Sequence, residues 1–328
     1  MIIFRSAAER PLDLPSSVVA IGNFDGVHIG HATVIRRAVA LARERGLAAA
    51  VLTFDPHPAA ILNPAFAPKL IMTVAQRLRH LCALGVDCVY VVPFSLDFAR
   101  LTPAEFVEQC LIQALRASVV LVGGDFRFGH RRAGNVDTMR DLGLEVEPVW
   151  PVLFRGIRAS STAIRDLVEA GKVNRAARLL GRPFSLRGPV VKGQGVGSRQ
   201  TVPTLNLAPE NALLPADGVY VTRTSNRWKS ITNIGHRPTF GGMERTVETF
   251  LLDPFSEPAP DRIEVEFLRY VRAERKFDTP EELRSQIMLD VKSANSLHRH
   301  LQRLSTATRN GSPAPSPRPN PGYSESHS

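Results

Sequence analysis

Two histidines around a glycine, in His28-Ile29-Gly30-His31, close the run that begins Gly22-Asn23-Phe24-Asp25-Gly26-Val27. The run follows an apolar strand-like segment, Ser17–Ile21. It precedes a segment of helical periodicity in which Val34, Ile35, Ala38, Val39 and Ala42 share one face, with Gly46 as the stop. The histidines therefore fall at a strand-to-helix turn, where free backbone N–H groups and the positive end of the helix favour an anion. Imidazoles there can donate hydrogen bonds to phosphate oxygens and stabilise the charge that builds as a phosphate bond breaks. The ordinary alternative is that His28 and His31 only cap and solvate a helix start. The strand–turn–helix setting weighs against it.

A second basic constellation lies at Arg158-Ala159-Ser160-Ser161-Thr162-Ala163-Ile164-Arg165. Hydroxyls ahead of an arginine, opening a helical segment, form another anion-binding arrangement, although Ser-Ser-Thr also reads as a plain N-cap cluster. Together the two constellations suit attack on an α-phosphorus with loss of pyrophosphate: one holds the inner phosphates and the other clamps the departing ones. Positioning and charge neutralisation supply most of such catalysis, and no protein nucleophile is needed. In an open parallel sheet the site lies at the carboxyl ends of the strands, where Asn23 and the Asp55-Pro56-His57-Pro58 turn also fall.

Further along, Gly193-Gln194-Gly195-Val196-Gly197-Ser198 follows the apolar Pro189-Val190-Val191. It is not a dinucleotide fingerprint, because Pro203 and β-formers stand where a helix should begin. Nor is it a Walker loop, since Gln194 occupies the lysine position. A glycine flap remains, able to bring N–H groups close to phosphate or simply to move. Thr204 and Asn206, two residues apart on an extended chain, point the same way and could coordinate a magnesium that otherwise keeps water and phosphate ligands. Glu248, between Val247 and Thr249, reads by itself as a solvated strand residue.

These groups need elements to hold them. Up to about residue 150, strands at Ser17–Ile21, Ala48–Phe54, Asp87–Pro93, Ser118–Gly123 and Glu145–Val149 alternate with helices, which implies βαβ units and a parallel sheet. Capping boxes open helices at Thr73-Val74-Ala75-Gln76 and Thr102-Pro103-Ala104-Glu105. From about 187 to 271 the period changes to two. Gly218–Thr222, Lys229–Asn233, Val247–Leu252 and Ile263–Phe267 look like antiparallel strands of a small barrel or sandwich. A closing helix starts at Thr279-Pro280-Glu281-Glu282. Residues 305–328, rich in Ser, Pro, Asn and Gly, read as a disordered tail.

The 328 residues suffice for two domains, and 44% hydrophobic content with a mean hydropathy of −0.06 is ordinary for a globular protein. No apolar run is long enough for a membrane span, and the first residues lack the apolar core of a signal peptide. Cys82, Cys88 and Cys110 form no Cys-x-x-Cys pair, so no disulfide framework or zinc site is indicated. The cytoplasm is the simplest home. The net charge of +10 would suit a polyanion, yet the basic residues are scattered and carry no nucleic-acid signature.

Gly22–His31, Thr53–Pro58 and Ser160–Arg165 together resemble the FAD synthetase module of bacterial bifunctional riboflavin kinase/FAD synthetases, in the His-x-Gly-His nucleotidylyltransferase superfamily. Val122-Gly123-Gly124-Asp125-Phe126-Arg127-Phe128-Gly129 resembles the family's segment bordering the flavin. The resemblance implies a Rossmann-like parallel-sheet domain in which His28, His31 and Arg165 are catalytic. Gly22, Asn23, Phe24, Gly30, Ser161 and Thr162 would bind nucleotide, and Pro56, His57, Asp125 and Phe128 flavin. The second half resembles the riboflavin kinase module in Pro203-Thr204-Leu205-Asn206, Asn233–Phe240, Val247–Asp253 and Arg272–Phe277. That implies a small antiparallel β-barrel with a C-terminal helix. In it Gly193, Gly195 and Gly197 would bind nucleotide, Thr204 and Asn206 hold Mg²⁺, Arg272 contact flavin, and Glu248 deprotonate the ribityl 5′-hydroxyl.

Departures are Leu205 for the family's alanine, Ser198 for arginine, Thr201 for glycine, and Pro258–Asp261 where Leu-Tyr-Gly is usual. They touch flap dynamics and none of the residues given a chemical role. The expectation is an FAD synthetase domain over 1–185 and a riboflavin kinase domain over 186–304. Its small-molecule substrates are riboflavin, FMN and ATP, its products FMN and FAD, with neither nucleic acid nor membrane as partner and at most a weak homo-oligomer. The alternatives are an adenylyltransferase whose barrel merely binds flavin, a nucleotidylyltransferase with another acceptor, and a non-catalytic flavin or RNA regulator.

Overall fold

The structure, a computed structural model, describes residues 1–191, 204–239, 242–253, 260–275 and 277–310. The chain divides into two compact units, Met1–Glu274 and Arg275–Ser328. The first begins with β1 (Ile2–Phe4), β2 (Ser17–Ile21), α1 (Ile29–Arg45), β3 (Ala48–Asp55), the short α2 (Pro58–Leu62), α3 (Val74–Ala83) and β4 (Cys88–Pro93). It continues through α4 (Pro103–Phe106), which runs on as a π-helix over Val107–Ala114, then β5 (Ala117–Gly123), α5 (Val136–Asp141) and β6 (Glu145–Val149). The six strands form one sheet in the order β1-β4-β3-β2-β5-β6, every pair parallel.

The apolar runs of the central strands explain this layer. All five residues of β2 are buried, because helices cover both faces. Alternation sends Val19 and Ile21 to one side, against the π-helical segment and α5, and Val18 and Ala20 to the other, against α1 and α3. The expected strands are all present. β1 is an addition: three residues at the sheet edge are too short for a period to show. The capping boxes at Thr73 and Thr102 are both formed, and Gly46 ends α1.

The hairpin β7 (Leu153–Phe154) and β8 (Ile157–Arg158) leads to α6 (Ser161–Glu169) and α7 (Val173–Leu180). Then come β9 (Phe184–Val191), β10 (Thr204–Leu207), β11 (Gly218–Thr224), β12 (Trp228–Thr239), β13 (Gly242–Leu251) and β14 (Arg262–Arg272). These close into an antiparallel barrel, β10-β13-β12-β11-β14-β9, which resolves the choice between barrel and sandwich. One core cluster runs from Ile71 through Ile164 and Val168 of α6 and Val173, Ala176 and Leu179 of α7 into Leu205, Tyr220, Val247 and Phe267 of the barrel. The helices that follow the hairpin therefore pack into the barrel's own core.

The second unit contains α8 (Pro280–Asn310). Thr279 Oγ1 accepts the Glu282 N–H at 3.2 Å, as its capping sequence predicts. The helix extends to Asn310, six residues into the segment read as tail from 305; residues 311–328 lie outside the described residues.

Candidate functional site

Between β2 and α1 the chain makes a tight turn, with φ positive at Phe24, Gly26 and Val27. His28 is the N-cap of α1, and its Nδ1 accepts the His31 N–H at 3.3 Å. The two imidazoles stack at 3.6 Å and 18°, and Phe24, whose ring lies over Gly22, meets His31 edge-on at 5.2 Å. Gly30 permits the arrangement: a Cβ there would stand 3.1 Å from His28 Cε1. Burial, aided by Arg182, holds the His28 imidazole at about 4. Burial, then His28, Arg182 and Arg77, holds His31 well below its ordinary value. Both rings are neutral near pH 7. With Nδ1 of His28 accepting, its Nε2 carries the proton and is a donor. His31 Nδ1 is buried with no hydrogen-bond partner among the described residues.

Three side chains hold this turn, Asp25 and Arg77 buried and Arg182 half-buried, in roles that their local sequence does not announce. Asp25 accepts the Ile71 N–H at 3.0 Å and the Met72 N–H at 3.4 Å, and pairs with Arg165 Nη2 at 2.6 Å. Arg182 donates to the carbonyls of Gly26 and Val27, at 2.5 and 2.9 Å. Arg77 donates to the carbonyls of Asn23 and Phe54 and to Thr53 Oγ1. The only trace of them in the sequence is polar character at positions otherwise belonging to apolar helix faces or turns.

The two constellations do meet. Ser160 caps α6, Ser161 Oγ donates to the Asp25 carbonyl at 2.8 Å, and Arg165 adds a bond from Nε to the Lys69 carbonyl. Thr162 is exposed beside them. Asn23 and His57 are in contact at 3.1 Å, His57 capping α2 just after Pro56. From there phenylalanine rings run in sequence, Phe54, Phe94, Phe98, Phe106, Phe128 and Phe126, each centroid 5.1–6.1 Å from the next. Phe128 is buried within this line, and Phe126 stacks on it from the half-exposed side. Asp125 is exposed, with Arg158 Nη2 3.7 Å away.

In the barrel Leu205 and Leu207 are buried while Thr204 and Asn206 lie on the opposite, half-exposed face. Asn206 is in register with Glu248, and Glu248 with Asn233, so a row crosses β10, β13 and β12. Val247 and Thr249 are buried behind Glu248. Asn233 Nδ2 donates to Glu274 Oε1 at 3.2 Å, and the Glu274 carboxylate lies over Gly235, where a Cβ would push it aside. Arg272 ends β14 and donates to the Ala273 carbonyl; it is not part of the row. Gly193, Gly195, Gly197, Ser198, Thr201 and Pro258 lie outside the described residues.

A family model described as FAD synthetase matches residues 11–163, and one described as riboflavin kinase matches 180–298. The bifunctional riboflavin kinase/FMN adenylyltransferase of Escherichia coli K12 is 33% identical over 285 residues, covering 84% of this chain and 91% of that protein. The chain belongs to the bifunctional riboflavin kinase/FMN adenylyltransferase family. The Pseudomonas fluorescens member is 34% identical over 288 residues, covering 85% of this chain and 92% of its own. A solved Streptococcus pneumoniae structure described as a macrolide-efflux protein superposes with a TM-score of 0.81 at 32% identity, over 90% of this chain and 98% of that one. Among the described residues of this family member, no helix is long and apolar enough to cross a membrane.

Proposed function

We infer that this chain makes both flavin cofactors, phosphorylating riboflavin with ATP to FMN and adenylylating FMN with a second ATP to FAD. The observation that carries the reading is the junction at Asp25, which ties the histidine turn and the Ser161–Arg165 helix start into one anion site although the sequence separates them by well over a hundred residues. A phosphate oxygen of FMN would attack the α-phosphorus of ATP, and pyrophosphate would leave. Neutral His28 and His31 would donate to the phosphates, with Ser161, Thr162 and Arg165 towards the β- and γ-phosphates. Gly22, Phe24 and Gly30 shape the turn, and Asn23 adds a donor. Pro56, His57, Asp125 and Phe128 would border the flavin, at the ends of the phenylalanine line.

For the kinase, Glu248 would take the proton of the ribityl 5′-hydroxyl as its oxygen attacks the γ-phosphorus and ADP leaves. Thr204 and Asn206 offer a hydroxyl and an amide oxygen on one face, beside that carboxylate, a hard-oxygen donor set that fits Mg²⁺. Bound there with nucleotide, the ion would neutralise phosphate charge. Gly193, Gly195 and Gly197 would bind nucleotide, and Arg272 would contact the flavin. We assign the adenylyltransferase to residues 1–185, the kinase to 186–304 and a tail to 305–328, in a cytoplasmic protein.

The test is a time course of the purified chain with riboflavin, ATP and Mg²⁺, resolved for FMN and FAD. FMN that rises and then converts to FAD is the expected result. Conversion of added FMN with riboflavin untouched would remove the kinase, and no reaction of either flavin would remove the reading.

A further inference from the structure

The contact between His57 and Asn23 is more than a neighbourhood. His57 Nδ1 accepts the Ala59 N–H at 3.1 Å, as the N-cap of α2. Burial, with Arg165 and Arg77 adding and Asp25 opposing, lowers the proton affinity of the ring, so it is neutral near pH 7. A neutral imidazole has one donor and one acceptor nitrogen. Nδ1 is already the acceptor, which leaves Nε2 with the proton. Asn23 Nδ2 stands 3.1 Å from Nε2, which would oppose two donors, so we assign the Asn23 amide with its oxygen and nitrogen exchanged and the oxygen towards His57. In that assignment the NH₂ faces away from His57.

The backbone beneath Asn23 cannot roll to compensate. Its carbonyl receives Arg77 Nη1 at 2.7 Å and Thr53 Oγ1 at 3.1 Å. With the backbone held, the contact with His57 sets the amide orientation at Asn23, and it matters. The NH₂ end attracts a phosphate oxygen, whereas the oxygen end repels it.

We propose that His57 is a positioning residue for adenylylation, fixing the Asn23 amide with its NH₂ towards the ATP phosphates rather than chiefly contacting flavin. The proposal rests on the adenylyltransferase reading of the histidine turn.

Asparagine and glutamine separate the two ring nitrogens. Asn at position 57 offers an oxygen near Nδ1 and keeps the cap; Gln places an N–H near Nε2 and keeps the bond to Asn23. FAD formation from FMN would be measured for His57→Asn and His57→Gln, alone and with Asn23→Ala. FMN formation from riboflavin in the same samples reports the folded fraction. His57→Asn should lower kcat/KM for ATP roughly ten- to hundredfold, the weight of a hydrogen bond to a charged group, with KM for FMN unmoved. His57→Gln should recover most of that loss, and His57→Asn should add little in the Asn23→Ala background. A rise in KM for FMN with ATP kinetics intact would overturn the proposal in favour of a flavin contact. Equal losses in both variants would reduce His57 to a cap, and full additivity with Asn23→Ala would show that the residues act separately. A wild-type chain that makes no FAD would instead sink the underlying reading.

Discussion

Arg165 Nη2 stands 2.6 Å from Asp25 Oδ2, with side-chain exposures of 15% and 5%, so the guanidinium expected to grip phosphate is already paired within the protein. Asp25 sets where Arg165 can reach, and it does so from inside the histidine turn. Asp25→Asn keeps the acceptor for the Ile71 N–H but leaves the buried cation uncompensated. Breaking such a pair costs about 3–5 kcal/mol, which urea unfolding would register as a lower midpoint. FAD formation per folded molecule should also fall, while FMN formation from riboflavin holds. Loss of both activities in proportion would make Asp25 a purely structural residue.

The two sites predict a crossed pattern of losses. His28→Ala should halt the reaction at FMN, with adenylylation down on the order of a hundred- to a thousandfold, as when a preorganised donor to developing charge is removed. Glu248→Gln should suppress FMN formation by about a hundredfold or more, yet leave FAD formation from added FMN. Chromatography of the flavins reads both, and a variant that lost both activities would contradict the assignment.

The pH dependence follows from the burial of the imidazoles. His28 must be neutral and is held at about 4, against 6.5 for a free histidine. Loss of the neutral His28 should therefore give no inflection at pH 6.5 and enter only as pH approaches 4. The same shift makes a stability statement. Between 6.5 and about 4 the unfolded chain binds a proton that the folded His28 does not, so stability is full above 6.5 and lost as pH falls through that window. By the acid end of the window His28 alone has withdrawn roughly 3 kcal/mol. Thermal midpoints between pH 7 and 4.5 would check the sign; a midpoint that rises on acidification contradicts it.

Gly235→Ala should damage the kinase selectively. The new methyl would occupy the space of the Glu274 carboxylate and break its bond to Asn233, the residue in register with Glu248. Lower kcat for FMN formation with unaltered adenylylation is expected. An unaffected kinase would mean that Glu274 does not support the row.

What the sequence disclosed was local. The His28–His31 turn, the capping boxes and the strand runs depend on residues within a few positions of one another, and each is present. Thr204 and Asn206 could be paired because a strand has a fixed period. Asp25, Arg77, Arg182 and Glu274 escaped because each acts across long separations, Arg182 reaching 156 residues to Gly26. Their single polar side chains leave no periodic trace. The phenylalanine line was hidden for the same reason, its members lying on separate loops and strands. Closure of the barrel was beyond a period-two pattern, which a sandwich shares.

If the histidine turn holds ATP as proposed, the uncharged state of His28 and His31 also bears on how the reaction ends. With Arg165 offset by Asp25, and alongside the Arg77 and Arg182 cations held at the turn, the two imidazoles themselves would meet a polyanion as oriented dipoles. Their attraction decays more steeply with distance than that of fixed charges, so the grip depends on exact placement and slackens once a leaving group has shifted. A cradle of free lysines would retain pyrophosphate nearly as well as ATP, and escape of product would then set the pace. Burying these imidazoles would give such a site a means of letting go.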